Sequence, residues 1–98
     1  MKEIEYRAAM LLECLGEPIR FQILFRLEDG PKTVSQLARL TKRHVATVSH
    51  HLALLRALHV VRYHNRGRLT FYELKFKEVI ELLKAAIRSV PKLSLPPS

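Results

Sequence analysis

The fold is decided by residues 33–57, TVSQLARLTKRHVATVSHHLALLRA. The segment opens with Thr33-x-x-Gln36, the spacing of a capping box, in which two side chains satisfy backbone N–H groups at a helix start. Apolar residues then recur at helical spacing and predict the inner faces of two helices: Leu37, Val48, Leu52 and Leu55. We expect the helices over residues 34–40 and 44–57. The short link between them predicts a helix-turn-helix.

A β-hairpin is predicted directly after this segment. Residues 60–64 and 69–74 are rich in β-branched and aromatic side chains, and the stretch 65–68 between them, Asn-Arg-Gly-Arg, contains a glycine. The pattern therefore predicts two antiparallel strands joined by a loop with an arginine-rich tip, Arg66 and Arg68. A hairpin in this position is the wing of a winged helix-turn-helix.

The rest of the chain contains three amphipathic patterns, each of which predicts a helix: residues 3–15, 18–28 and 76–90. A length of 98 residues favours one domain. We therefore expect a mainly α fold with a small hairpin, in the order α-α-α-α-β-β-α. The winged helix-turn-helix and dimerisation domain is expected over residues 1–90, followed by a flexible tail over 91–98.

The first and last helices are more apolar than a domain of this size can cover, which predicts a two-fold dimer. The candidate dimer-interface residues are Ile4, Ala8, Leu11, Leu12, Val79, Leu82, Leu83 and Ala86. The alternative, in which both helices pack wholly within one protomer, stays open.

The positive charge is concentrated in the middle of the chain. There are 17 Lys and Arg against 9 Asp and Glu, a net charge of +8. All nine acids lie in residues 1–29 and 73–98, whereas residues 31–72 have no acid and contain all five histidines. A basic, acid-free block inside a folded domain predicts binding to a polyanion such as nucleic acid.

This block contains side chains suited to double-stranded DNA. The N-terminal half of the second helix of a helix-turn-helix enters the major groove, where hydroxyl, imidazole and methyl groups can meet base edges. Arginines on a wing suit phosphates or the minor groove. The candidate DNA-binding residues are Arg43, His44, Val45, Ala46, Thr47, Ser49, His50, Arg56, Arg62, Arg66 and Arg68. We expect His51, in contrast, to pack or hydrogen-bond at the inner edge of the helix.

Several short motifs have a familiar order: PIRFQIL at 18–24, VSQLA at 34–38, VSHHL at 48–52 followed by Leu55-Arg56, VVR at 60–62, and Gly67-Arg68 with Tyr72. Over about residues 12–74 the chain resembles the ArsR/SmtB family of bacterial and archaeal repressors. The resemblance implies a homodimeric transcriptional repressor that is released from its operator by metals, metalloids, redox change or other cues.

The chain departs from the family's metal-sensing patterns. Thr33 and Ser35 stand where one variant has two cysteines. Phe76 and Glu78 stand where another has an Asp-x-His pair, and that variant's later ligand positions fall near Ser89 and Lys92. Neither set offers the thiolates or imidazoles that zinc, nickel or arsenite require, so we expect no metal and no cofactor. In the turn, Lys42, Arg43 and His44 replace the family's usual Gly, apolar residue and Ser.

Other protein classes are disfavoured. Cys14 is the only cysteine, and no Ser-His-Asp set, phosphate-binding glycine loop or membrane span is visible, so we expect a cytoplasmic protein that is neither an enzyme nor membrane-bound. The predicted function is a sequence-specific regulator, a repressor that binds a pseudo-palindromic operator as a homodimer. An architectural or weakly specific DNA-binding protein is the main alternative. A winged helix that binds only an acidic protein is a third hypothesis.

Overall fold

A computed structural model describes residues 1–97 and confirms the predicted order of elements. The helices are α1 (Glu3–Leu15), α2 (Pro18–Arg26), α3 (Val34–Thr41), α4 (Val45–Ala57) and α5 (Glu78–Ser89). Two strands, β1 (Val61–Arg66) and β2 (Leu69–Leu74), separate α4 from α5, and a short 3-10 turn (Val90–Lys92) follows α5. The fold is a mainly α winged helix-turn-helix.

Helices α2, α3 and α4 supply the centre of the core. Their fully buried side chains are Ile23, Leu24, Leu37, Val48, Leu52 and Leu55. Burying a side chain of this size contributes about 1.5–3 kcal/mol, so these contacts dominate the packing of the helix-turn-helix. The helical spacing of these residues is the reason that the exposed face of α4 is presented outward in a single orientation.

The turn between α3 and α4 has a defined geometry. The predicted capping box is present, with Gln36 N donating to Thr33 Oγ1 at 3.1 Å and Thr33 N donating to Gln36 Oε1 at 2.8 Å. After α3, Lys42 adopts a left-handed conformation with φ 56°, and Arg43 N donates to Ala38 O at 3.0 Å. This is the usual way to end a helix, although glycine is the residue that normally occupies the left-handed position. His44 precedes α4, which begins one residue later than predicted.

The hairpin is tighter than the sequence indicated. Arg66 pairs with Leu69, so the tip consists of Gly67 and Arg68 alone, and the prediction of a four-residue loop is wrong. Gly67 has φ +62°, and glycine at the first central position favours a two-residue hairpin connection. At the other end, Lys32 and Tyr72 exchange two backbone hydrogen bonds, of 2.9 and 2.8 Å. These bonds join β2 to the segment just before α3.

Helix α1 has its predicted bounds, whereas α2 and α5 are shorter than predicted. Helix α2 ends at Arg26, and α5 begins at Glu78, so Phe76 lies outside the helix and is about half exposed. The last helix ends at Ser89, and the chain makes a 3-10 turn over Val90–Lys92. Residues 93–97 have no regular structure, and Ser98 lies outside the described residues. The predicted division into a domain and a flexible tail stays a prediction.

Candidate nucleic-acid interface

The N-terminal half of α4, together with the turn before it, presents an exposed surface of polar, basic and aliphatic side chains. Five of the candidate residues at its start and on its outer face are exposed, together with the preceding arginine: Arg43, His44, Val45, Ala46, Ser49 and His50. Thr47 is half-buried beside the fully buried Val48. The structure thus leaves most of the predicted recognition surface open to a ligand.

The wing carries two exposed arginines. Arg68 lies at the hairpin tip, and Arg66 lies at the end of β1 with its guanidinium carbon 5.7 Å from the centroid of the Phe71 ring. Neither takes part in an ion pair within residues 1–97. Their charges are therefore free to meet an external anion.

Arg62 is in a different situation. Its Nε donates to Glu73 Oε1 at 2.7 Å, because the register of the hairpin places Glu73 directly opposite on β2. Glu73 also lies 3.8 Å from His64 Nδ1. Counting acids along the sequence missed this neutralisation, because Glu73 lies just beyond the acid-free block. Only the strand register reveals it.

A second basic region lies where α4 meets the hairpin. The guanidinium carbon of Arg56 lies 4.4 Å from the centroid of the Tyr63 ring, a cation–π contact that orients the side chain. His59 and Lys75 line the same shallow pocket. Sequence reasoning included Arg56 among the candidates but missed Lys75, which follows Glu73 in the chain and so fell outside the basic block.

His51 joins the recognition helix to α2. Arg20 Nη1 lies 3.2 Å from His51 Nδ1, and Arg20 Nε donates to the carbonyl oxygen of Cys14 at 2.8 Å. A guanidinium has only donors, so Nδ1 must accept and the proton of the neutral ring lies on Nε2. Burial lowers the pKa of His51, and the nearby Arg20 charge acts in the same direction against the attraction of Glu17. The ring is thus held neutral at the inner edge of α4, as expected.

Two other ionisable groups surround this contact. Burial alone would raise the pKa of Glu17, but hydrogen bonds from backbone N–H groups, that of Arg20 first, hold it below its ordinary value. Glu17 Oε2 also lies 3.7 Å from His51 Nδ1. Burial raises the pKa of the Cys14 thiol despite the opposing effect of Arg20. Its thiolate, the reactive form, is therefore disfavoured.

The candidate dimer residues divide into two groups. Ile4, Leu12 and Leu82 are 68%, 57% and 41% exposed, and Leu12 and Leu82 line one shallow apolar groove between α1 and α5. Val79 and Leu83, in contrast, are 5% and 2% exposed and pack in the protomer's own core. They therefore offer almost no surface to a second chain. Ala8 and Ala86 are exposed, and Leu11 is half-buried.

The described part of the chain contains no group of three or more His, Cys, Asp or Glu side chains placed to hold a metal ion. Within residues 1–97 no helix combines the length and apolar character needed to cross a bilayer. A helix-turn-helix and hairpin with an exposed polar and basic second helix instead define the winged helix-turn-helix class of DNA-binding regulators.

Comparison with known proteins identifies the family. The family model described as "Bacterial regulatory protein, arsR family" matches residues 17–63. The chain is 37% identical over 81 residues to the HTH-type transcriptional regulator NmtR of Mycobacterium tuberculosis, covering 83% of this chain and 68% of that protein. The chain belongs to the ArsR family. Membership confirms the resemblance seen in the sequence. It also confirms the prediction that the protein is a transcriptional regulator and not an enzyme.

Two further proteins are similar. The chain is 32% identical over 79 residues to a cadmium resistance transcriptional regulatory protein, a CadC homolog of Staphylococcus aureus, covering 80% of this chain and 65% of that protein. The chain thus spans about two thirds of the length of these two relatives. The solution structure of a homodimeric winged helix-turn-helix DNA-binding domain, Mb0332 of Mycobacterium bovis, has a TM-score of 0.75 at 25% identity, covering 91% of this chain and 82% of that one.

Proposed function

We propose that the protein is a homodimer that binds a pseudo-palindromic operator in double-stranded DNA and represses transcription by blocking access to an overlapping promoter. The observation that carries this proposal is the exposed N-terminal half of α4, held outward by three fully buried residues, Val48, Leu52 and Leu55. This is the part of a helix-turn-helix that enters a major groove. A regulator of this kind acts where the DNA is, in the cytoplasm.

The two parts of the interface have different roles in this proposal. Ser49 and His50 lie on the exposed face of α4, and their short side chains reach base edges, where hydrogen bonds discriminate between sequences. Arg66 and Arg68 lie on the wing and contact the phosphate backbone, which adds affinity without sequence information. Arg43 precedes α4 and Arg56 lies in its last turn, and both add further contacts to the DNA backbone.

Dimerisation would set the spacing of the operator. The apolar side chains of Leu12 on α1 and Leu82 on α5 are exposed in the protomer, and a second copy would cover both. Two recognition helices related by a two-fold axis then enter major grooves one turn apart, about 34 Å or 10–10.5 base pairs. The homodimeric state of the Mb0332 domain supports this arrangement.

Selection of bound sequences from random duplex DNA tests the proposal. We expect an inverted repeat to emerge, and the selected duplex to bind about 10³-fold or more tighter than a scrambled one at the same salt concentration. A selection that yields no inverted repeat would refute the dimeric operator reader. A ratio near one for the two duplexes would refute sequence-specific binding.

One observation favours a second candidate, an architectural DNA-binding protein. No Asn, Gln or Arg, the side chains that make bidentate base contacts, lies within residues 45–50 of α4, while the net charge is +8. The double variant Ser49→Ala/His50→Ala separates the two functions. A specific reader loses about 1–3 kcal/mol per base contact on the selected duplex and little on the scrambled one. An equal loss on both duplexes would mean that α4 does not read sequence, and the architectural role would then be the better account.

The cadmium resistance in the name of the CadC homolog is not part of this proposal. Thr33 and Ser35 supply no thiolate at the start of α3, and Phe76 and Glu78 supply no imidazole at the start of α5. We expect that zinc, nickel and arsenite leave the DNA affinity unchanged at equal ionic strength. Stoichiometric metal binding in calorimetry, coupled to release of DNA, would contradict this.

A further inference from the structure

An apolar pocket lies between α1 and the C-terminal half of α4. It has a volume of about 370 Å³, and its walls include Met10, Leu54 and Leu58. A second cavity of about 310 Å³ adjoins it and shares Met10 and Leu58. Both volumes fall within the range of small-molecule binding sites. We propose that this pocket binds a small amphipathic carboxylate, an acid with one anionic group and an alkyl or aryl body.

The walls suit an apolar body. Met10, Leu54 and Leu58 are 48%, 40% and 50% exposed, so three large apolar side chains from two helices share one concave surface with water. A ligand that covers them removes apolar area from water, which is the main source of affinity in such sites. Met10 is unbranched and adapts to ligands of different shape.

Arg20 supplies a binding site for the anionic group at the inner end of the pocket. Its guanidinium is half-buried and lines the cavity, and its two hydrogen-bond partners, the Cys14 carbonyl and the His51 ring, are both neutral. Arg20 takes part in no ion pair between residues of the described range 1–97. A guanidinium has five N–H donors in a planar fork that matches a carboxylate, so donors remain for a ligand.

The other charges around the pocket leave this preference intact. Glu13 lines the same pocket as Arg20, and Arg7 lines the adjoining cavity, so the two linings together carry two cations and one carboxylate. Glu17 accepts a hydrogen bond from the backbone N–H of Arg20 at 2.9 Å and is not among the lining residues. Glu17 still interacts electrostatically with Arg20 from outside the pocket, but within the two linings the cations outnumber the carboxylate, which favours an anionic ligand.

Binding would be communicated to the recognition helix. The carboxylate binds the remaining N–H groups of the guanidinium that donates to His51 Nδ1, and its negative charge competes with the neutral ring for the position of that guanidinium. A bound carboxylate therefore weakens the contact of 3.2 Å that ties α2 to α4 one residue after His50. The pocket and this competition do not depend on DNA, whereas any effect on operator affinity rests on the function proposed above.

Calorimetric titration with octanoate, and with octanol as the neutral analogue of equal chain length, tests the site. We expect octanoate to bind at least about tenfold tighter than octanol, the difference made by a charge-assisted hydrogen bond. Arg20→Gln removes this difference. Leu54→Gln, at an exposed position that tolerates a polar side chain, weakens both ligands. Arg26→Gln, an exposed arginine on the same helix, is the matched control and changes neither affinity.

The imidazole NMR signals of His51, assigned with His51→Gln, report the competition directly. Octanoate should shift them in the wild type and not in Arg20→Gln. Three results would each overturn the proposal: equal binding of octanoate and octanol, an unchanged octanoate affinity in Arg20→Gln, or an unmoved His51 signal at saturation. The proposal would also be overturned if octanoate failed to bind because a second chain fills the pocket. Octanoate binding that depends on Arg20 in a protein that binds no DNA would uphold the pocket while refuting the proposed function.

Discussion

Replacing Arg68 by Ala should change the salt dependence of DNA binding by a calculable amount. Arg68 stands exposed at a two-residue hairpin tip and takes part in no ion pair with any residue described by the structure. Each phosphate that a protein neutralises contributes about 0.9 to the slope of log affinity against log salt concentration. A dimer loses two such contacts, so the slope falls by about 1.8. Between 50 and 200 mM salt, the affinity deficit of the variant should therefore shrink about tenfold.

The control removes a wing arginine that the structure places in an ion pair. Arg62 and Glu73 lie 2.7 Å apart, and the double variant Arg62→Gln/Glu73→Gln deletes both charges while the net charge stays the same. A guanidinium engaged by a carboxylate releases few counterions when DNA binds, so the slope should remain close to that of the wild type. Fluorescence anisotropy of a labelled duplex over a salt series measures both variants.

Two results would refute this reasoning. An unchanged slope for Arg68→Ala would mean that the hairpin tip does not reach a phosphate. If the slope fell as much for the double variant as for Arg68→Ala, Arg62 would have to leave Glu73 when DNA binds. The same salt series on a scrambled duplex should show the same fall in slope for Arg68→Ala, because contacts to the DNA backbone are independent of sequence.

Burial lowers the pKa of His51, so the folded chain favours the neutral ring and loses stability when the ring is protonated. The urea concentration at the midpoint of unfolding should therefore fall as the pH drops from about 7.5 to 5, through the ordinary histidine pKa of about 6.5. The fall should be smaller in His51→Gln. Glu17, with a lowered pKa, stays ionised across this window. Leu82→Glu should give a monomer by light scattering that is folded by circular dichroism, whereas Leu83→Glu, at a core position, should unfold the chain. A Leu82→Glu protein that is still dimeric would contradict the proposed interface. Lys42→Gly should raise the free energy of unfolding by about 0.5–1 kcal/mol in chemical denaturation, because glycine adopts φ 56° without strain, and a decrease would contradict this.

The elements predicted correctly are those determined by local patterns. The capping box at Thr33 and Gln36 involves side chains three residues apart, and the buried face of α4 follows from a period that one helix contains within itself. Such signals need no knowledge of the rest of the fold. They were sufficient to predict the helix-turn-helix and therefore which face of α4 is exposed.

The features that sequence reasoning missed depend on pairing between distant segments. The Arg62–Glu73 ion pair follows from the hairpin register, and the Arg20–His51 contact joins α2 to α4 across thirty-one positions of the chain. Val79 and Leu83 share an amphipathic helix with Leu82, and only the packing of α5 reveals which of them is left exposed. Periodicity identifies an apolar face but does not say whether the same chain or another one covers it.

The attachment of the wing has a consequence for how this protein can change during evolution. At the base of the hairpin, Lys32 and Tyr72 pair through backbone groups, a pair of bonds that every residue except proline can make, and Val61 is buried in the core. The direction of the wing is thus set at its base and is largely independent of the side chains at its tip. Substitutions at the hairpin tip can accumulate and change the charge that the wing carries while its placement beside α3 is inherited unchanged.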